Sequence, residues 1–185
     1  MKKVLAILLT ALIIMTASAA PISAKQAETE FRALYYDMFC AESMIMLQDS
    51  ESDLKSAVKE VVTFAKDNGF SAIFLEGVSC AGVIYDSKYL PNVTEALTGV
   101  EDFDLMEYFI TTAHKNSLSV YVVADIGKTR IDGYEPKPND PINRFSPWVI
   151  DGEYWNIGAP QVRQMITSYI AEIAVVETTS QGHSI

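Results

Sequence analysis

The chain has 185 residues, 49% of them hydrophobic and 21% charged, with a formal net charge of −10. That balance excludes a disordered polar chain and disfavours nucleic-acid partners, which need a basic stripe that no stretch here supplies. The two cysteines and two histidines share no ligand spacing, so neither a metal nor a cofactor is expected.

Lys2 and Lys3 precede the apolar run VLAILLTALIIM (4–15), and Ala17, Ser18, Ala19 and Ala20 follow it. That order predicts a secretory signal peptide over 1–24, cut after Ala19 or Ala24, and hence a secreted, periplasmic or cell-envelope location. The run is shorter than the roughly 20 apolar residues of a membrane span, which disfavours an uncleaved anchor. No cysteine closes it, which disfavours a lipoprotein. The remaining length, about 160 residues, suits one domain. Cys40 and Cys80 follow the first two predicted strands at similar offsets, so they are either a disulfide or two unrelated core residues.

FRALYYDMF (31–39) predicts the first strand. In SDLKSAVKEVVTFAKDNG (52–69), Leu54, Val58, Val61, Val62 and Ala65 recur at helical spacing, with Ser52 as the expected cap and Gly69 as the stop. FSAIFLEG (70–77) is a short apolar run of buried-strand type. After a long loop, DLMEYFITTAHKN (104–116) predicts a second helix and LSVYVVAD (118–125) a third strand. Another long loop carries Gly133, four prolines and both tryptophans. Last, APQVRQMITSYIAEIA (159–174) predicts a helix with Pro160 in its first turn and Val162, Ile166, Tyr169, Ile170 and Ile173 on one face. The order is β-α-β-α-β-α, with long strand-to-helix loops and tight returns. This asymmetry points to an α/β barrel whose chemistry sits at the C-terminal ends of parallel strands. A doubly wound sheet is the alternative, but no glycine-rich phosphate loop follows the first strand.

Each predicted strand ends on or near an acid: Asp37, Glu76 and Asp125. Carboxylates brought into one mouth push each other's pKa values apart, giving the acid and base that glycoside hydrolysis requires. The competing reading has them cap loops or pair with Arg130 or Arg144. Trp148, Tyr154 and Trp155, close to Asp151 and Asn156, could stack on a sugar ring, or could anchor the third loop. His114 reads as a cation at a helix C-terminus. Asn92-Val93-Thr94 matches a glycosylation sequon, but the short lysine-headed leader reads as bacterial and gives it no role.

Taken in order, FRALYYDMF, DNGFSAIFLEG, VIYDSKYLP, FDLMEYFITTAHKNSLSVYVVAD and YWNIGAPQVRQMITSYIAEIA resemble the bacterial exported glycosyl-hydrolase-like 10 family of TIM-barrel proteins. Tyr85 and Ser87 match its Tyr-x-Ser element, and Ala113 and His114 its Ala-His. Asp125 falls at the Asn of its Asn-Pro. Trp155, Asn156 and Gly158 match Trp-x-Asn-Pro-Gly, and Pro160, Val162 and Arg163 match Pro-Glu-Val-Arg. Leu34, Ile126 and Ile157 depart from the pattern where the family has Trp, Pro and Pro, and Glu76 stands where Gln is frequent.

The resemblance implies three β/α units of a (β/α)8 TIM barrel over 31–174, truncated before the fourth strand, where the family carries further aspartates. In the family those fourth-strand aspartates look like the catalytic carboxylates; within this chain the strand-end reading gives catalytic roles to Glu76, Asp125 and Asp37, and the loop aromatics together with the motif matches give substrate-binding roles to Tyr85, Trp148, Trp155, Asn156 and Arg163. The expected function is a glycoside hydrolase acting on cell-wall or extracellular polysaccharide, with a peptidoglycan-type glycan as partner. A non-catalytic carbohydrate-binding barrel fragment is the alternative. Residues 175–185 are expected to be a non-native tail, from a frameshift or a plain truncation. The chain as written is then expected to be inactive and prone to self-association through unpaired strand edges.

Overall fold

The computed structural model describes residues 30–181, with side chains as far as Ala174. The leader expected over 1–24, and residues 182–185 of the expected tail, lie outside the described residues. The elements in chain order begin with β1 (Ala33–Asp37), α1 (Glu51–Asp67), β2 (Ala72–Ser79), β3 (Gly82–Val83), α2 (Thr94–Thr98) and α3 (Leu105–Lys115). They continue with β4 (Ser119–Asp125), α4 (Pro141–Arg144), a 3-10 turn (Ser146–Trp148), β5 (Val149–Ile150), β6 (Tyr154–Trp155) and α5 (Pro160–Gln181). Among the described residues, no helix is long and apolar enough to cross a membrane.

The helix α1 forms where the apolar period demands it, and Leu54, Val58, Val61, Val62 and Ala65 are all buried. Its cap is Ser50 rather than the expected Ser52. Ser50 has extended backbone, and its hydroxyl accepts the Asp53 N–H at 3.2 Å. Ser52 is already helical, and its carbonyl accepts the Ser56 hydroxyl, so it cannot cap. Asp104 caps α3 in the same way, accepting the Glu107 N–H at 2.8 Å.

At the centre of the main sheet lies β2. β1 pairs parallel with it from Ala33↔Ala72 to Asp37↔Glu76, and β4 from Ala72↔Ser119 to Ser79↔Asp125, with a bulge at Gly77. Residues paired across parallel strands share a face. Leu34, Ile73 and Val120, then Tyr36, Leu75 and Val122, therefore point the same way and join one core with Leu54, Val58, Val61 and Phe109. The opposite face carries Tyr35, Phe74 and Tyr121, and continues into Glu76.

Two observations correct the expected three-unit barrel. After β2 the chain reverses, and β3 pairs antiparallel with it through Val78↔Val83 and Ser79↔Gly82, so the four-stranded sheet is mixed. The third long loop folds into α4 and a separate two-stranded sheet, β5–β6. The described residues thus form a small mixed α/β domain with five helices and two sheets. Glycine at position 82 permits the reversal. A Cβ there would lie 2.4 Å from Val93 Cγ1 and 3.2 Å from the Pro91 carbonyl oxygen. Sequence periodicity could not show this, because two-residue strands carry no period.

On α5, Val162, Ile166 and Tyr169 are buried as expected, whereas Ile170 is 45% exposed. Glu172 ties the helix to the segment after β3, accepting hydrogen bonds from the Tyr85 hydroxyl (3.3 Å), the Ser87 hydroxyl and the Lys88 N–H (2.9 Å). Both cysteines are free. Cys80 is buried, with its sulfur 2.7 Å from the Tyr169 hydroxyl and 3.3 Å from the Ile126 carbonyl.

Candidate functional site

A cleft of about 140 Å³ opens at the C-terminal ends of β2 and β4, lined by Phe39, Glu76, Ser79, Asp125, Lys128 and Arg130. Parallel pairing of adjacent strands brings Glu76 and Asp125 to it from positions far apart in sequence. The bulge between Glu76 and Val78 adds one residue to β2 just before the cleft. Bulges of this kind re-aim side chains at sheet ends.

The two carboxyl groups differ in surroundings. Glu76 is 8% exposed. Burial raises its pKa above the ordinary carboxylate value, the neighbouring Asp125 charge raises it further, and Lys128 acts in the opposite sense. The Tyr35 hydroxyl donates a hydrogen bond to Glu76 Oε2 from the open face of the sheet. Asp125 Oδ1 accepts the Gly127 N–H at 2.8 Å and the Lys128 N–H at 3.2 Å, while its Oδ2 lies 3.8 Å from Lys128 Nζ. The two carboxyl groups thus stand in different surroundings, Glu76 buried with its pKa raised and Asp125 hydrogen-bonded within its own turn beside Lys128.

The remaining candidates go elsewhere. Asp37 pairs in register with Glu76, but its Oδ1 accepts the Phe39 N–H at 2.8 Å in its own turn, and it does not line the cleft. Tyr85 is 3% exposed and committed to Glu172. Trp155 is 3% exposed in the core, with its indole N–H unpartnered. Trp148 is half-buried against Phe145, at a ring-centroid distance of 5.9 Å. Asn156 Oδ1 accepts the Gly158 N–H at 3.1 Å, and Arg163 donates to the carbonyls of Ile157 (3.4 Å) and Gly158, so both brace the turn into α5. Of the eight residues expected at the site, the structure brings Glu76 and Asp125 together in this cleft.

Lys128 and Tyr35 were not among the expected site residues. Each had a signal in the sequence. Lys128 sits three positions beyond a strand-end aspartate, where an Asx turn brings the chain back. Tyr35 is two residues from Asp37, and strand alternation puts both on the Glu76 face once β1 and β2 pair in register.

No protein-family model matches the chain, and no curated protein matches it either.

Proposed function

We propose that the chain carries an acid–base carboxylate site for glycosidic bonds of cell-wall or extracellular polysaccharide. The observation that supports this reading is the meeting in one cleft of Glu76, whose pKa burial raises, with Asp125, which lies beside Lys128. Glu76 gives its proton to the leaving-group oxygen as the C–O bond breaks. Asp125 takes a proton from the attacking water, or stabilises the positive charge that develops on the sugar ring. Lys128 Nζ lies 3.8 Å from Asp125 Oδ2 and faces that carboxylate. Because Glu76 must be protonated to act, activity falls as pH rises through its elevated pKa.

The test is release of reducing ends from a panel of cell-wall and extracellular polysaccharides by the purified chain. Glu76→Gln and Asp125→Asn should each lower the rate by about 10²-fold or more. Release unchanged in Glu76→Gln would sink the assignment.

A second reading has its own observation. Phe31, Phe74 and Tyr121 form an aromatic cluster on the open sheet face, with centroids 5.3 to 6.3 Å apart, and Phe31 is 59% and Tyr121 47% exposed. Such rings suit the apolar face of a sugar, so the same chain could retain glycan without cleaving it. Retention on insoluble polysaccharide, without product and lost in Tyr121→Ser, would favour this alternative. We also propose self-association through the outer edges of β1 and β4, each of which pairs only with β2 among the described residues. Concentration-dependent gel filtration tests it, and a monomer at every concentration would dismiss it.

A further inference from the structure

Glu76 is 8% exposed, and among the described residues its carboxyl group has one hydrogen-bond partner, the Tyr35 hydroxyl, which donates to Oε2. The charged groups around it approach without bonding to it. Asp125, Lys128, Arg130 and Asp132 line the same cleft, and Asp37 stands opposite Glu76 in the β1 register. The ion pairs among the described residues are Lys55–Glu51 and Lys128–Asp125, and neither includes Glu76.

The strand register explains how the phenol arrives. Tyr35 pairs with Phe74, two residues before Glu76 on β2, so Glu76 is its diagonal neighbour on the same face. Long side chains span that diagonal. Tyr36, on the other face, packs against the core, whereas Tyr35 is 55% exposed. Tyr35 thus adds little to packing and one specific bond to a buried acid.

That bond differs between the two states of the acid. A protonated carboxyl carries its proton on one oxygen and accepts on the other. With Tyr35 donating to Oε2, the proton falls to Oε1. When it passes to the leaving-group oxygen as the C–O bond breaks, the O–H electron pair stays on the carboxylate. The Tyr35 bond then becomes charge-assisted and roughly twice as strong. A gain that appears only as charge develops lowers the barrier instead of merely tightening binding.

We propose that Tyr35 is a positioning residue for Glu76: it fixes the carboxyl group through Oε2, reserves Oε1 for the transferable proton and stabilises the carboxylate that the transfer leaves. The inference rests on the acid–base reading above, in which Glu76 is the proton donor, and adds to it a residue of β1.

Burial raises the Glu76 pKa, the Asp125 charge raises it further, and Lys128 acts against them. Tyr35→Phe removes a donor that bonds the anion more strongly than the neutral acid, so Glu76 should titrate at higher pH in the variant.

The experiment is a carbon-detected NMR titration of the full chain, labelled at the glutamate side-chain carboxyl carbon, with the Glu76 signal assigned by its loss in Glu76→Gln. Its midpoint should move to higher pH in Tyr35→Phe, with little change in thermal unfolding because the exposed ring is kept. On a polysaccharide that the parent cleaves, Tyr35→Phe should lower the maximal rate by roughly 10- to 100-fold, as for one hydrogen bond to a charged group. The alkaline limb of the rate profile should also move to higher pH. A Glu76 midpoint that Tyr35→Phe leaves in place overturns the proposal. So does a lower rate with the alkaline limb unmoved, or a sharp drop in unfolding temperature, since either would make Tyr35 a structural contact. A parent chain that cleaves no glycan, while Tyr35→Phe still moves the midpoint, defeats the hydrolytic reading and leaves the Tyr35–Glu76 pairing standing. A parent that cleaves, with a midpoint the substitution does not move, does the reverse.

Discussion

The two faces of the central sheet are written by the same three strands, yet they do different work. On one face, Ile73 and Leu75 are fully buried and Leu34, Val120 and Val122 half-buried, all in one core with residues of α1 and α3. On the other, Tyr35 and Tyr121 remain 55% and 47% exposed, and the row leads to Glu76 and Asp125. The helix-covered face takes its hydrophobic stabilisation from burial, so the fold tolerates unspent aromatic surface and two acids on the other. The proposed site lies on the face that packing leaves open.

The strongest way to break that comparison is to truncate a residue of the covered face. Leu75 is fully buried, and Leu75→Ala should cost about 2–5 kcal/mol through lost transfer energy and the cavity left behind. Denaturant unfolding measures it, and a cost below about 1 kcal/mol would mean that this face is not the stabilising one.

Next is the reversal that distinguishes this sheet from a simple parallel array. Gly82→Ala forces a Cβ to within 2.4 Å of Val93 Cγ1, with the Pro91 carbonyl on another side, and should destabilise by about 1–3 kcal/mol. An unchanged midpoint would show that β3 yields easily.

A third effect depends on pH. Burial pushes the Cys80 thiol up from its usual 9 to about 12, partly offset by its Tyr169 hydrogen bond. A raised folded-state pKa contributes stability that is complete below the unfolded value and is lost as pH rises through the folded one. The chain should therefore lose stability between about pH 9 and 12. Cys80→Ser should flatten that decline while keeping a hydrogen-bonding partner for Tyr169. Parallel slopes for the two chains would count against a buried, proton-retaining thiol.

The smallest stability effect belongs to the open face. Tyr121→Ser should change unfolding free energy by no more than about 0.5 kcal/mol, as for most exposed positions, while lowering glycan retention. A large destabilisation would show that the aromatic row stabilises the fold after all, and would blur the distinction between the faces.

Legibility in the sequence followed the range of the interactions involved. The position of Asp125 at the end of β4 was readable, because a strand's end is a local property, whereas Glu76, expected to close the second strand, lies within β2, which runs on to Ser79. Asp37 looked equivalent, but it does not line the cleft that Glu76 and Asp125 share. Trp155 and Asn156 carried the composition of a sugar platform, but one is packed in the core and the other closes a turn.

By itself, the sequence determined the principal helices and the three parallel strands, because an apolar period of 3.6 or 2 acts within one element and needs no distant partner. Tertiary structure alone decided that β3 turns back on β2, that the third loop forms its own sheet, and that Glu76 and Asp125 share a cleft which Asp37 does not line. Each of these outcomes depends on where residues far apart in the chain place their backbone and side chains, and no local pattern carries that information.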